Sequence, residues 1–344
     1  MEQIELAGEP EQKYGWATLP FGRIGFGTAE IGNLKRAVSE ADANAALHAA
    51  ADAGITFFDT APGYGAGLAE LRLGTFLRER EDKARLIIAS KAGRYLVPGE
   101  EASAPAFFAA PLPFRSQFDY SYDGIMRSVE QSLLRIGTTS LDVLFIHDLD
   151  PANHGANLET HYRAFLESGT RALDKLKREG IITYSGISVN DPTFGARMLR
   201  RYHFDVAMLA SRYTMLDQSA LDEFFPVAKA AETPIIAAGV FNSGILADGA
   251  DPAATYDYRL ASPEISQRVK TISAICERHH VSLAAASLQF TQAHPQIQCI
   301  LFGTTRADRI ASNKKAAAEE IPLQFWRDIK EIGAIADDAF LPPV

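Results

Sequence analysis

Eight short apolar runs, each followed by a stretch with helical spacing, constrain the fold of this 344-residue chain more than any other feature. The runs predict strands over residues 24–28, 56–60, 86–91, 141–147, 183–189, 205–210, 234–239 and 298–304. Runs without polar alternation, such as 141–146, are typical of strands buried on both faces of a parallel sheet. Eight strands alternating with helices predict a (β/α)8 TIM barrel. A doubly wound open sheet is the alternative, but no division of the chain into two halves is visible.

Three of the predicted helices have clear end signals. The first, over residues 39–53, opens on Ser39 and stops before Gly54. The second, 121–136, and the third, 161–179, stop before Gly137 and Gly180. Serine at a helix start and glycine just past its end satisfy backbone groups that the helix leaves unpaired. Because single barrels often reach this length, we expect residues 1–344 to form one domain.

Two segments lack a regular pattern. Residues 96–118 are rich in proline, alanine and phenylalanine, with neither a helical nor a strand period. Long irregular loops in compact domains are usually functional or disordered, and the aromatic content here favours a folded lid. We therefore expect a long loop after the third strand. The opening segment, to about Phe21, is expected to form a small N-terminal hairpin that plugs the bottom of the barrel.

Composition limits the classes of partner. The formal net charge of −9 argues against nucleic acid or an anionic membrane surface. The sequence has no apolar run of about 18 residues, and its charged opening is unlike a signal peptide. Cys276 and Cys299, both in apolar surroundings, are typical of a reducing compartment. We expect a cytoplasmic protein with a small-molecule partner, present as a monomer or a small homo-oligomer.

Four polar residues stand at or just after the carboxyl ends of three consecutive predicted strands. Asp59 ends the second strand and Tyr64 follows it, while Lys91 and His147 end the third and fourth. In a barrel these ends converge on one rim. Taken singly, Asp59 could bond turn amides and His147 could be a hydrogen-bonded core residue. The buried ammonium of Lys91 needs a partner, and the four together predict a catalytic site.

The chemistry of these groups suits proton transfer. A tyrosine hydroxyl has a pKa near ~10 and is a poor base at neutral pH, but a nearby cation lowers that pKa. Lys91 supplies the cation, with Asp59 as its counter-ion. His147 can hydrogen-bond a substrate oxygen beside Tyr64. No ligand pattern around the histidines completes a zinc site, so we expect no metal.

Three segments of the chain carry a family resemblance. They read Phe57-Phe58-Asp59-Thr60-Ala61-Pro62-Gly63-Tyr64-Gly65, Ser90-Lys91 and Phe145-Ile146-His147-Asp148, and they resemble the signatures of the aldo-keto reductase family. The likeness extends from Gly25 to Asn313. It implies a barrel that binds NAD(P)(H) at its carboxyl rim, with the proton transferred by Tyr64. The hydride chemistry then belongs to the nicotinamide.

The same resemblance implies where the cofactor lies. The residues expected to hold it follow the first, fifth, seventh and eighth strands: Thr28, Ser188, Asn190, Phe241, Ser243, Gly244, Leu246, Gly303, Thr304, Thr305, Arg309 and Asn313. Thr304 and Thr305, with the amides of the following helix, suit a phosphate. Arg309 suits the adenine ring or a 2′-phosphate, and Asn313 the adenine edge.

Two positions depart from the family pattern. The family often has Ser-Asn after the fifth strand, whereas Asn190 stands one residue further from Ser188. A tyrosine that stacks on nicotinamide often follows the seventh strand, and here Ala238 aligns with it. Phe241 is the candidate to take over that packing.

The eighth strand bears on the choice between NAD and NADP. Many NADP-preferring members carry a lysine where Gly303 stands, so one cation for a 2′-phosphate is absent here. Arg306 and Arg309 remain available on the helix that follows. The sequence therefore favours NAD, with NADP as the alternative.

The substrate class follows from a branch of the family. Segments 118–128, 188–191 and 242–246 resemble the branch that contains aldose 1-dehydrogenases, acting on L-fucose, D-threo-aldoses or L-galactose, and pyridoxal 4-dehydrogenase. The implied reaction is oxidation of a cyclic hemiacetal to a lactone. Two other classes stay open: a Schiff-base aldolase with Lys91 as nucleophile, and a nucleotide-binding regulatory subunit without turnover.

Overall fold

The computed structural model describes residues 19–99 and 107–342. Eight parallel strands form a closed barrel in sequence order. They are β1 (Ile24–Gly27), β2 (Phe57–Asp59), β3 (Ile87–Ala92), β4 (Leu141–His147), β5 (Ile182–Val189), β6 (Val206–Ala210), β7 (Ile235–Ala238) and β8 (Ile297–Phe302). Because β1 pairs with both β2 and β8, the sheet has no edge. The predicted barrel is confirmed, and the open doubly wound sheet is excluded.

Helices surround the barrel. They are α1 (Glu40–Asp52), α2 (Leu68–Glu79), α3 (Tyr122–Ile136), α4 (Pro151–His154), α5 (Leu158–Ala164), α6 (Thr170–Arg178), α7 (Pro192–Leu199), α8 (Phe224–Ala230), α9 (Ile245–Asp248), α10 (Pro263–Arg278), α11 (Leu283–Gln292), α12 (Ala307–Ala317) and α13 (Leu323–Glu331). Ser39 caps α1 and Ser121 caps α3, each accepting a bond from an amide of the first turn. Gly137 ends α3 in the left-handed region, at φ 76°.

The third predicted helix starts earlier than its sequence pattern suggested. The pattern placed its start at His161, whereas α5 begins at Leu158, directly after a 3-10 turn over Gly155–Asn157. A π-helical turn, Phe165–Gly169, then joins α5 to α6. The wider turn brings Gly169 against the Tyr120 carbonyl, where a Cβ atom would clash.

The barrel interior is a core of its own, separate from the layer between strands and helices. It is filled by side chains from alternate strand positions together with Leu19 and Phe21. The Phe21 ring stacks on Phe57 with their centroids 4.7 Å apart. Leu19 and Phe21 thus plug one end of the barrel. The rest of the predicted N-terminal hairpin lies outside the described residues.

The segment 96–118, predicted to be an irregular loop, contains strand structure at both ends. Arg94–Pro98 and Phe114–Phe118 pair as an antiparallel hairpin, called here the rim hairpin, immediately after β3. The side chain of Gln131 on α3 bonds both the amide and the carbonyl of Leu96. The prediction of no strand period is therefore wrong at both ends of the segment. A second, shorter hairpin pairs Thr255–Tyr256 with Arg259–Leu260.

Candidate active site

A buried ion pair lies at the carboxyl rim of the barrel. The Lys91 Nζ atom donates to Asp59 Oδ2 over 2.6 Å and to the Thr60 carbonyl over 2.8 Å. Lys91 is 1% exposed and Asp59 2% exposed. Parallel strands β2 and β3 place the two side chains together, as the sequence predicted. Burial lowers the pKa of the Lys91 ammonium, and the Asp59 carboxylate opposes that shift.

Tyr64 lies between this pair and His147. Lys91 Nζ is 4.8 Å from the centre of the Tyr64 ring, and the His147 ring meets the same ring edge-on at 6.2 Å. The loop that carries Tyr64 passes close to Gly32, where an added Cβ would stand about 3.0 Å from the Tyr64 backbone. The four predicted catalytic residues thus lie together on one rim.

Within the part of the chain that the structure describes, His147 makes its hydrogen bond through the backbone carbonyl and not through the imidazole ring. Its carbonyl accepts a 2.8 Å bond from the Tyr120 hydroxyl. Its Nε2 atom lies 3.3 Å from Asp148 Oδ1, while Nδ1 is buried and has no partner among the described residues. Burial, with the charges of Arg94 and Lys91, holds the pKa of His147 well below its ordinary value. The imidazole is therefore neutral at physiological pH.

The electrostatics at Tyr64 differ from the simple expectation that Lys91 lowers its pKa. Burial raises the pKa of Tyr64 well above its ordinary value, and the carboxylates of Asp59, Asp148 and Glu30 add to the rise. Arg94 opposes it. A phenolate at this position consequently depends on nearby cations.

Five residues of this rim were not among the predicted site residues. Glu30 follows β1, Arg94 begins the rim hairpin, Asp148 directly follows His147, and Phe108 and Tyr258 come from the two hairpin regions. The Phe108 ring lies 6.0 Å from that of Tyr64. Charged residues within three positions of Lys91 and His147 were the available sequence signal. Nothing local marked Phe108 or Tyr258, because their placement depends on where the hairpins fold.

The predicted cofactor residues follow four strands along the same rim. Thr28 follows β1, Ser188 and Asn190 lie at the end of β5, residues 241–246 follow β7, and residues 303–305 follow β8. Two basic residues of the β1 loop join these segments. Lys35 Nζ bonds the Ser243 carbonyl at 3.1 Å, and Arg36 bonds the Thr305 hydroxyl at 2.6 Å.

The structure offers unpaired polar groups suited to a dinucleotide. Thr28 Oγ1 and Asn242 Oδ1 are buried without a partner among the described residues. Helix α12 starts at Ala307 with no side-chain cap, and the amino end of a helix favours a phosphate. These groups fit a nicotinamide dinucleotide. Leu246 fits less directly, since its side chain is buried in the core and its amide and carbonyl both bond within the protein.

Gly303 is a point of close packing. An added Cβ would lie 2.6 Å from the Gly27 carbonyl and would overlap the Glu30 carboxylate. A lysine at this position therefore requires β1 and its loop to shift. The missing lysine, which the sequence analysis connected with cofactor choice, has a steric explanation in this chain.

The two arginines considered for a 2′-phosphate are paired with carboxylates. Arg309 contacts Asp248 at 2.7 Å, which ties α12 to α9. Arg306 pairs with Asp308 at 2.5 Å. Asn313 lies half-buried on α12.

Comparison with known proteins shows which family the chain resembles. The model of the Aldo/keto reductase family matches residues 23–334. This chain belongs to the aldo/keto reductase family. It is an NAD(P)-dependent oxidoreductase, as the signatures predicted, and the Schiff-base aldolase alternative is not supported.

Three similar relatives within the family are dehydrogenases. Pyridoxal 4-dehydrogenase of Microbacterium luteolum is 37% identical, over 97% of this chain and 100% of its own. D-threo-aldose 1-dehydrogenase of a Pseudomonas species is 36% identical, over 92% and 95%. L-galactose dehydrogenase of Arabidopsis thaliana is 27% identical, over 98% and 96%. The predicted branch of the aldo/keto reductases is confirmed.

Solved structures support the fold. Glycerol dehydrogenase from Gluconobacter oxydans superposes with a TM-score of 0.71 at 20% identity, covering 96% of this chain and 98% of its own. An aldo-keto reductase from Bacillus halodurans in its holo form gives 0.68 at 21%, covering 92% and 94%. Within the described residues, no helix has the length and apolar character needed to cross a membrane.

Proposed function

We propose that this enzyme oxidises a cyclic hemiacetal, an aldose in its ring form, to the lactone, with Tyr64 as the proton acceptor. The observation that carries the proposal is the position of the Tyr64 ring, 4.8 Å from the Lys91 ammonium and 6.2 Å from the His147 ring. A proton acceptor, a cation and a hydrogen-bond donor thus face one small space. The similarity to D-threo-aldose and L-galactose dehydrogenases supports this substrate class.

Each residue of the site has its own role in the proposed oxidation. His147, as a neutral imidazole, donates a hydrogen bond from Nε2 to the hydroxyl oxygen at the reacting carbon. Tyr64 takes the proton of that hydroxyl, while Lys91, anchored by Asp59, stabilises the phenolate charge. A bound nicotinamide supplies the hydride acceptor. The aromatic rings of Phe108 and Tyr258 flank the mouth of the site and limit access of water.

We further propose NAD as the preferred cofactor, with NADP as the weaker one. A 2′-phosphate carries close to two negative charges and needs fixed cations to offset its lost hydration. The pairing of Arg309 with Asp248 and of Arg306 with Asp308 supports the preference. Thr28, Ser188, Asn190, Phe241, Ser243, Gly244, Thr304, Thr305 and Asn313 are the remaining proposed contacts.

Pyridoxal is the second candidate substrate. The observation in its favour is the 37% identity to pyridoxal 4-dehydrogenase. Its internal hemiacetal also yields a lactone, so the roles of Tyr64, Lys91 and His147 are unchanged. The proposed setting is the cytoplasm, which suits the two free, buried cysteines, and the proposed state is a monomer or a small homo-oligomer.

The test is a spectrophotometric screen of L-fucose, L-galactose, D-threo-aldoses and pyridoxal with NAD and NADP, followed by Tyr64→Phe on the best pair. The variant should lose at least 10²-fold in kcat, because general acid–base groups typically supply about 10²–10⁴-fold. Its dissociation constant for the cofactor, measured by fluorescence titration, should stay within about twofold. Turnover within about tenfold of wild type would remove Tyr64 from the mechanism. No turnover with any substrate, despite cofactor binding, would favour a regulatory subunit.

A further inference from the structure

A second ion pair lies beside Asp59 and Lys91 on the rim. Arg94 Nη2 contacts Asp148 Oδ2, and the other oxygen of Asp148 lies 3.3 Å from His147 Nε2. One carboxylate thus bridges a guanidinium and the imidazole. Both members of the pair are largely buried, with side chains 14% and 16% exposed.

The surroundings fix both partners in place. The Arg94 guanidinium lies 4.5 Å from the centre of the Phe118 ring. Its Nη1 atom packs against Gly63, where an added Cβ would stand 3.1 Å away. Asp148 adopts the left-handed region, at φ 54°, which is uncommon outside glycine, asparagine and aspartate. The bent backbone lets consecutive residues, His147 and Asp148, both face the rim.

We infer that Arg94, packed against Gly63 directly before Tyr64, is a second cation for the proton acceptor Tyr64, and that Asp148 is the counter-ion that holds Arg94 in place. Both are positioning residues. The inference rests on the proposed role of Tyr64.

Several charged groups act on Tyr64. Asp59, Asp148 and Glu30 raise its pKa, and Arg94 lowers it. Lys91 lies under its ring, and His147 is neutral. A guanidinium keeps its charge at any working pH, whereas burial lowers the pKa of Lys91. Arg94 therefore supplies the cation that does not titrate.

The test is the pH dependence of kcat/KM for oxidation in Arg94→Gln, in Asp148→Asn and in the double variant. Arg94→Gln should move the alkaline rise in activity upward by about one pH unit, the lower end of the effect of a close charge. Asp148→Asn should move it downward, because a carboxylate that raises the pKa of Tyr64 is lost. Asparagine tolerates the left-handed backbone. The double variant should return to near the wild-type position.

The controls separate this inference from a structural role and from the proposed function. Arg127→Gln removes an exposed arginine that packs 4.2 Å from the centre of the Tyr95 ring, and should leave the profile unchanged. Arg94→Lys, which keeps the charge, should retain the wild-type position. Shifts in the same direction for both single variants, or no shift, would overturn the inference while Tyr64→Phe remained inactive. Activity in Tyr64→Phe would instead overturn the proposed function.

Discussion

Lys91 illustrates how the site depends on single contacts. Its ammonium is almost fully buried, and its partners are the Asp59 carboxylate and the Thr60 carbonyl. Burying a charge is unfavourable unless it is paired and hydrogen-bonded. The same contact thus keeps a cation under Tyr64 and satisfies a carboxylate that the fold has removed from water.

Replacing Lys91 tests both roles. Lys91→Met should lower the free energy of unfolding by about 3–5 kcal/mol, because it leaves Asp59 buried and unpaired. Adding Asp59→Asn should recover part of that loss, as two uncharged side chains no longer require a counter-ion. Denaturant unfolding of Lys91→Met, Asp59→Asn and the double variant measures this coupling. If the losses in unfolding free energy of the two single variants simply add in the double variant, the two residues do not stabilise each other.

The connection between the strands of the rim hairpin places Phe108 beside Tyr64. Between the two strands the chain pairs with the β1 loop: Leu34 forms a bridge with Phe108, and the Lys35 amide donates to the Phe107 carbonyl. The hairpin region therefore contacts both the substrate side, through Phe108, and the loop that links the proposed cofactor segments. Deleting it would change both sites, so a point substitution is the sharper experiment.

Phe108→Ala should raise KM for the best substrate several-fold, because a ring beside Tyr64 is lost from the wall of the site. The dissociation constant for NAD should change little. Phe107→Ala is the matched comparison, since Phe107 contacts Tyr258 at 5.6 Å rather than Tyr64. Equal effects on substrate and cofactor in Phe108→Ala would identify the segment as scaffold.

At the scale of the whole molecule, the segments proposed to hold the cofactor come together because the barrel closes. Thr28 follows β1 and Thr305 follows β8, and these strands meet through the register of Gly25 with Leu301. Arg36 then bonds Thr305 across 269 positions of sequence. Asp248 reaches Arg309 because the strands that precede them, β7 and β8, pair directly.

The Asp248–Arg309 pair gives a test of cofactor choice. Asp248→Asn should raise kcat/KM for NADP relative to NAD by about fivefold, on the order of one exposed charge interaction. It frees Arg309 and removes a repelling carboxylate. Asp308→Asn, which frees Arg306 instead, is the matched control. A wild type that already prefers NADP would contradict the proposed preference.

The sequence by itself determined the architecture and the four central residues of the site. Short continuous apolar runs that alternate with helical segments are typical of buried parallel strands, and in a barrel the ends of parallel strands share one rim. Asp59, Lys91 and His147 could therefore be placed together without knowing any loop. The helix ends at Ser39, Ser121 and Gly137 could also be predicted from the sequence, because caps act within one turn.

Tertiary structure alone decided the remaining features. The rim hairpin was missed because its pairing depends on Gln131 and α3, not on a local period. The crowding at Gly303 comes from Glu30 and Gly27, which only barrel closure brings near. The bridge from Arg94 through Asp148 to His147 likewise joins two loops. Contacts between segments distant in sequence leave no periodic signal, so the charges that set the pKa of Tyr64 became visible only in the folded molecule.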